Sequence, residues 1–212
     1  MSLTRRSAIL ALSLGLAACS GQSNITSPTL NTVPPQTAAV NPNDPANLVI
    51  LELKTGKVTI RLRPDLAPKH VERYKMLISQ GFYNGLKWHR VIPGFMAQTG
   101  DPKGNGTGGS TYPDLQAEFS ATPFERGTLG AARSGNPNSA NSQFFICFTH
   151  SPNLNGEYTV FGQVVDGMQY VDQIAKGEPP PKPDIIVKMY MAQSGTPVGA
   201  QPGAQAGAHP VP

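Results

Sequence analysis

Apolar residues in this chain come in short runs, most of them ended by a glycine or a proline. That spacing leaves no room for long helices and favours short strands joined by turns. Leu48–Leu53 is rich in branched and aliphatic residues and alternates in character. Lys54-Thr55-Gly56 turns the chain, and Val58–Leu62 alternates again, so a first hairpin is predicted. Further strands are predicted at Leu86–Val91, Phe95–Gln98, Gly127–Ala132, Gln143–Phe148, Tyr158–Val165 and Ile185–Met191. Val71, Tyr74, Leu77 and Ile78 recur at helical spacing between Pro68 and Gly81, which predicts a helix over 68–80. A second helix is predicted at Met168–Ala175. Strands do not alternate with helices, so a parallel sheet is excluded. The pattern is mostly β: an antiparallel barrel or sandwich with two helices.

Composition draws the domain boundaries. Proline and glycine together make up about a fifth of the 212 residues, with 21 and 22 copies. Nine of the prolines lie in 20–45 and 193–212. The first of these stretches has Asp44 as its one charge, and the second has none. Neither carries an apolar period of 2 or 3.6, so neither can bury enough surface to offset ordering entropy. Both are expected to be linkers, 19–45 a tether and 193–212 a tail, leaving 46–192 as one folded domain.

The first eighteen residues are expected to be an export signal. Arg5 and Arg6 are followed by twelve uncharged residues, Ser7–Ala18, too few to span a bilayer and suited to the apolar part of a secretory signal. The run ends Leu16-Ala17-Ala18-Cys19, which resembles a bacterial lipobox. The resemblance implies cleavage before Cys19, acylation of its thiol, and a chain anchored to the cell envelope on its periplasmic or outer face. An ordinary signal with an incidental cysteine is the plainer reading, and the arginine pair leaves the twin-arginine route open.

The formal charge of +4 shrinks with that cleavage. Of 17 basic and 13 acidic residues, Arg5 and Arg6 would be lost, leaving an excess of two. No lysine or arginine run occurs, so nucleic-acid binding is not expected. With Cys19 acylated, Cys147 has no partner for a disulfide. It lies in the apolar run Phe144–Phe148 and is expected to be a buried, inert thiol.

The stretch from Trp88 to Gly109 carries the most chemistry. Arg90 and Gln98 flank the apolar pair Phe95-Met96. In strand geometry Phe95, Ala97 and Thr99 face one way, and Met96, Gln98 and Gly100 the other. An apolar shelf beside a fixed guanidinium can hold a proline-like ring and touch its amide. An arginine in a surface ion pair beside a core strand explains the same residues. Phe144 and Phe145 point to opposite faces of one strand, so one is free to line a cleft, unless both are core.

Other candidates are weaker. His70, His89 and His150 lack metal-ligand spacing, and His89 is expected to be structural. Gly104–Gly109 lacks the lysine of a phosphate loop. Asp101, Asp114 and Glu118 are expected to be loop charges rather than a carboxylate site.

Several long motifs in one order resemble the cyclophilin-type peptidyl-prolyl cis-trans isomerases. They are Trp88-His89-Arg90-Val91-Ile92-Pro93-Gly94-Phe95-Met96-Ala97-Gln98, Gly104–Gly109, Asn141–Cys147 and Asn153–Gly162, within a resemblance covering about 47–192. The family's fold implies a closed eight-stranded antiparallel barrel capped by two helices. Arg90 matches the family's catalytic arginine, and Gln98 the polar residue that contacts the substrate backbone. Phe95, Met96, Phe145 and Leu154 match the wall of the proline pocket. Gly106, Ala132, Arg133, Ser134 and Gln143 match the neighbouring groove, and Asn105 is expected to help hold the substrate chain. Tyr158 stands where eukaryotic members carry histidine, and Asn153 where they carry tryptophan. The second change implies weak cyclosporin binding. The chemistry implied needs neither metal nor cofactor. The partners implied are proline-containing segments of exported proteins, and a monomer is expected. A proline-binding module of the same fold without turnover is the alternative, though binding alone would not need the guanidinium.

Overall fold

The computed structural model describes residues 44–192. The signal at 1–18, the lipidation site at Cys19, most of the tether and the 193–212 tail lie outside the described residues. Eight strands follow a short 3-10 turn at Pro45–Asn47: β1 Leu48–Leu53, β2 Gly56–Leu62, β3 Arg90–Ile92, β4 Met96–Thr99, β5 Thr128–Ala131, β6 Phe144–Cys147, β7 Val160–Asp166 and β8 Lys188–Met191. Helix α1 spans Pro68–Ser79 and α2 spans Met168–Val171. A second 3-10 turn covers Pro152–Leu154. Among the described residues no helix is long and apolar enough to cross a membrane.

All eight strands join one antiparallel sheet in the order β3-β4-β6-β5-β7-β2-β1-β8. The sheet is curled but open, which corrects the expected closed barrel. The segments leading into β3 and β8 do meet: Trp88 donates to the Asp184 carbonyl, and Ile186 to that of Leu86. No full ladder can grow there, because Pro179, Pro180, Pro181 and Pro183 offer no N–H. Two isolated bridges remain, Val91 with Gly177 and Lys87 with Ile185. This also trims two predicted strands, Leu86–Val91 and Ile185–Met191, to their last residues. The second helix is shorter than predicted, because the chain tightens into successive turn bonds, such as Ile174 to the Val171 carbonyl, after one helical turn.

Period-2 alternation sorts the apolar side chains into two clusters. Val91, Ala97, Leu129, Phe144 and Ile146 join the main core inside the curl, which α1 helps to fill through Val71, Tyr74, Leu77 and Ile78. Met96, Phe145, Cys147 and Ala132 form a second cluster on the opposite face, with Phe124, Leu154 and Val160. The main core grips the root of this second face. Tyr74 stacks on Phe161 with centroids 4.0 Å apart, and its hydroxyl donates to the Gln143 carbonyl at 2.9 Å. The buried Tyr83 hydroxyl donates to the neighbouring Ser142 carbonyl at 3.0 Å.

Candidate active site

Strand register builds the site. Arg90 pairs with Gln98, Gln98 with Phe145, and Phe145 with Gly130, so four adjacent strands put one row of residues on the outer face. Met96 and Cys147 form part of the next row on that face. Phe144 is fully buried in the main core, whereas Phe145 lines a cavity, which settles the choice between the two rings. Phe95 also lies on the cavity, although strand alternation would put it on the face of Ala97, which is core. The reason is local: Phe95 closes the β3–β4 turn, donating to the Ile92 carbonyl after Gly94 at φ +69°, so it precedes the regular strand.

The cavity holds about 440 Å³ and is lined by Arg90, Phe95, Met96, Gln98, Phe145, Leu154 and Tyr158, with Ala132, Arg133, Asn153 and Glu157 at its edges. Phe145 is wedged in place. It stacks on Phe124 at 5.7 Å and meets the edge of Tyr158 at 5.7 Å. Tyr158 is covered in turn by the Arg133 guanidinium, 4.5 Å above its ring. Arg133 is tied to the Glu157 carbonyl by Nε and Nη2 and to the Ser134 carbonyl by Nη1. Its charge is thereby spent on bracing the wall.

A second, polar cavity of about 380 Å³ adjoins the first, sharing Gln98, Ala132 and Arg133. Gly106, Ser134 and Gln143 line it. Gln143 joins the two cavities. Its Nε2 donates to the Gly106 and Gly108 carbonyls at 3.0 and 2.7 Å, and its Oε1 accepts from Gln98 Nε2 at 2.9 Å. Gln98 itself lines both cavities.

Asn105 lies on neither cavity wall. Its side-chain oxygen is occupied within the loop, accepting from the Thr107 amide and hydroxyl at 3.0 and 2.8 Å. The loop is organised by Asp101 instead. This carboxylate is 1% exposed and accepts from the amides of Lys103, Asn105 and Gly106 at 2.8, 3.0 and 2.6 Å. Burial works to raise its pKa, but these donors prevail and hold it below the usual carboxylate range. Asp101 is therefore no surface loop charge. Asp114 accepts from Asn141 Nδ2, and Glu118 holds His70 Nδ1 at 2.6 Å, so the three acids do separate work. Asn141 pins the far side of the polar cavity, accepting from the Ser110 amide and hydroxyl. His89 is buried beneath Gly106, and burial, opposed by Asp101, pulls its pKa down. Cys147 is buried too, and its thiol is pushed up to about 12.

Arg90 is half-buried at the edge of the row. Its Nε donates to Glu178 Oε2 at 2.7 Å, and among the described residues its terminal NH2 groups make no hydrogen bond.

Residues 48–191 match the family described as cyclophilin type peptidyl-prolyl cis-trans isomerase. The chain belongs to this family. A Brucella suis protein named as a probable peptidyl-prolyl cis-trans isomerase is 64% identical over 145 residues, covering 63% of this chain and 74% of that protein. Peptidyl-prolyl cis-trans isomerase B of Bacillus subtilis is 41% identical over 125 residues, covering 58% and 86%. Among solved structures, cyclophilin AquaCyp293 from Hirschia baltica matches with a TM-score of 0.65 at 29% identity, over 70% of this chain and 74% of that one. A cyclophilin type isomerase of Cryptosporidium parvum, crystallised in the presence of the dipeptide Ala-Pro, matches with the same score and identity over 69% and 99%. The chain is a cyclophilin-type isomerase of X–Pro peptide bonds.

Proposed function

We propose that the apolar cavity takes the proline ring of an extended polypeptide, and that Arg90 lowers the barrier to rotation of the bond preceding it. The carrying observation is the cross-strand row that sets an unshared guanidinium edge beside Phe95, Met96 and Phe145. Amide resonance makes the barrier about 18–20 kcal/mol, and uncatalysed exchange takes tens to hundreds of seconds. In the twisted transition state the proline nitrogen is pyramidal and carries a lone pair. A guanidinium N–H donating to that lone pair stabilises the twisted form more than either planar form, which is the condition for raising kcat. The ring stays in the apolar cavity while the preceding carbonyl swings, and Gln98 is placed to accept from the substrate backbone. No bond is broken and no proton is moved. The Ala-Pro dipeptide named with the Cryptosporidium relative supports a proline ring as the occupant.

The test is a protease-coupled isomerisation assay on an Ala-Pro peptide. Arg90→Ala is expected to lower kcat/KM about tenfold or more, roughly 1.4 kcal/mol of transition-state stabilisation, with circular dichroism unchanged. Turnover near that of the wild type would overturn the assignment of Arg90. A wild-type protein that binds the peptide without accelerating exchange would favour the binding-module reading.

The substrates we propose are exported proteins, met at a membrane to which Cys19 tethers the domain. The signal-like run and Leu16-Ala17-Ala18-Cys19 support this reading. Cys19→Ser should release the protein from the membrane fraction, and retention there would count against the lipid anchor.

A further inference from the structure

The contact that holds Arg90 comes from outside the ladder. Val91 and Gly177 exchange both backbone hydrogen bonds at 2.8 Å, an antiparallel bridge that lays Gly177-Glu178 along the free edge of β3. In that register Glu178 lies opposite Arg90, one more step in the row Arg90, Gln98, Phe145. The segment is stiffened on both sides. Pro179, Pro180 and Pro181 follow with fixed φ. Gly177 itself has φ +145°, and a Cβ there would lie 2.6 Å from Pro180 Cα, so the turn folds tightly back on itself. The carboxylate at its end takes Arg90 Nε and leaves the opposite, terminal edge of the guanidinium unshared.

We propose that Glu178 is a positioning residue: it fixes the guanidinium plane so that the terminal N–H groups point over the proline cavity. A side chain as long as arginine loses much rotamer freedom when fixed. Arg90 is 41% exposed, so packing does little of that fixing. Glu178 supplies it before substrate arrives, which moves the ordering cost out of the transition state. This inference rests on the assignment of Arg90 given above. It differs from the plain surface-pair reading in one respect: the pair acts on turnover, and an ion pair with partners 41% and 50% exposed adds little to stability.

The experiment is a double-mutant cycle in the full chain, using Glu178→Ala, Arg90→Ala and the double variant, with kcat and KM measured separately on an Ala-Pro peptide. Glu178→Ala is expected to lower kcat about three- to fivefold, the range that an exposed ordering pair supports, with KM changed less than about twofold. Glu178→Gln keeps an acceptor and should fall between. In the Arg90→Ala background Glu178→Ala should have no further effect. Salt near 1 M, which shortens the screening length to about 3 Å, should narrow the gap between wild type and Glu178→Ala. An unchanged kcat for Glu178→Ala overturns the inference, and so does an equal loss in both backgrounds. A wild-type rate for Arg90→Ala alone would instead strike the assignment beneath it.

Discussion

Gly130→Ala tests whether the wall of the proline cavity depends on a missing side chain. Gly130 sits opposite Phe145 on the neighbouring strand, and the Phe145 ring lies across the space where a Cβ would be. An added Cβ would fall on the Phe145 Cζ, and it would lie 2.7 Å from both Phe145 Cε2 and Phe124 Cε1. Something must move, and there are two ways. The strands can part, which overpacking data put at about 1–3 kcal/mol. Alternatively Phe145 can tip toward the cavity of about 440 Å³ beside it, which spares the ladder and fills the place of the substrate ring. The second route is softer, since Phe124 is fully buried and cannot yield. A gain of about 0.4–1 kcal/mol from restricting the unfolded chain offsets part of the strain. The net loss should be about 1–2 kcal/mol, or roughly 2–8 °C in Tm for a domain of this size. The activity loss should be the larger effect: kcat/KM lower by about tenfold, carried mainly by KM. Calorimetry and the coupled isomerisation assay read the two quantities, and Gly130→Ala with Phe145→Leu should recover part of the lost Tm. A Gly130→Ala protein with unchanged Tm and unchanged kcat/KM would refute the geometry.

Three further outcomes follow from buried groups. Asp101→Asn replaces a buried carboxylate that gathers the Lys103, Asn105 and Gly106 amides, so it should cost about 1–3 kcal/mol in urea unfolding and speed amide exchange in 103–108; an unchanged midpoint would refute the loop role. His70 and His89 both have pKa values lowered from the ordinary 6.5, in each case chiefly by burial, with Glu118 opposing the shift at His70 and Asp101 at His89. The unfolded state then binds more protons, so their contribution to stability is whole above pH 6.5 and is lost as pH falls below it. Tm should therefore drop between about pH 7.5 and pH 5, and a flat profile would refute the burial of neutral imidazoles. Cys147, with its thiol pushed up to about 12 by burial, should stay unmodified by iodoacetamide at about pH 8 in the native protein and react once unfolded, as peptide mapping would show.

What could be read from the chain follows the range of each physical signal. Alternation acts within one strand, so it located all eight strands and the facing of Met96 and Gln98. It failed at Phe95, where a turn interrupts the strand. It could not say which face of β6 meets the cavity, because all four of its residues are buried and read as one apolar run; the choice between Phe144 and Phe145 needs the register of β4 and β5. The resemblance supplied the site residues, but only as a set of positions. It could not say that Asn105 turns inward on its own loop or that Asp101 holds that loop. An aspartate among glycines looks the same whether its oxygens meet water or three backbone amides.

Glu178 lies further still from any local signal, 88 residues from Arg90 and at the head of a proline run. The same prolines that keep the curled sheet open bring that carboxylate to the free edge of β3. A closed ladder at this edge would have left Arg90 beside a neighbour of ordinary strand geometry. The open seam instead gives the guanidinium a partner at Nε on a loop stiffened by prolines. Sheet opening and arginine placement are therefore one structural event. A variant restoring N–H groups along 179–181, such as a triple Pro→Ala change, should loosen both: faster amide exchange at Val91 and Gly177, and a lower kcat. Loss of kcat with unaltered exchange at those two amides would separate the two events and refute their coupling.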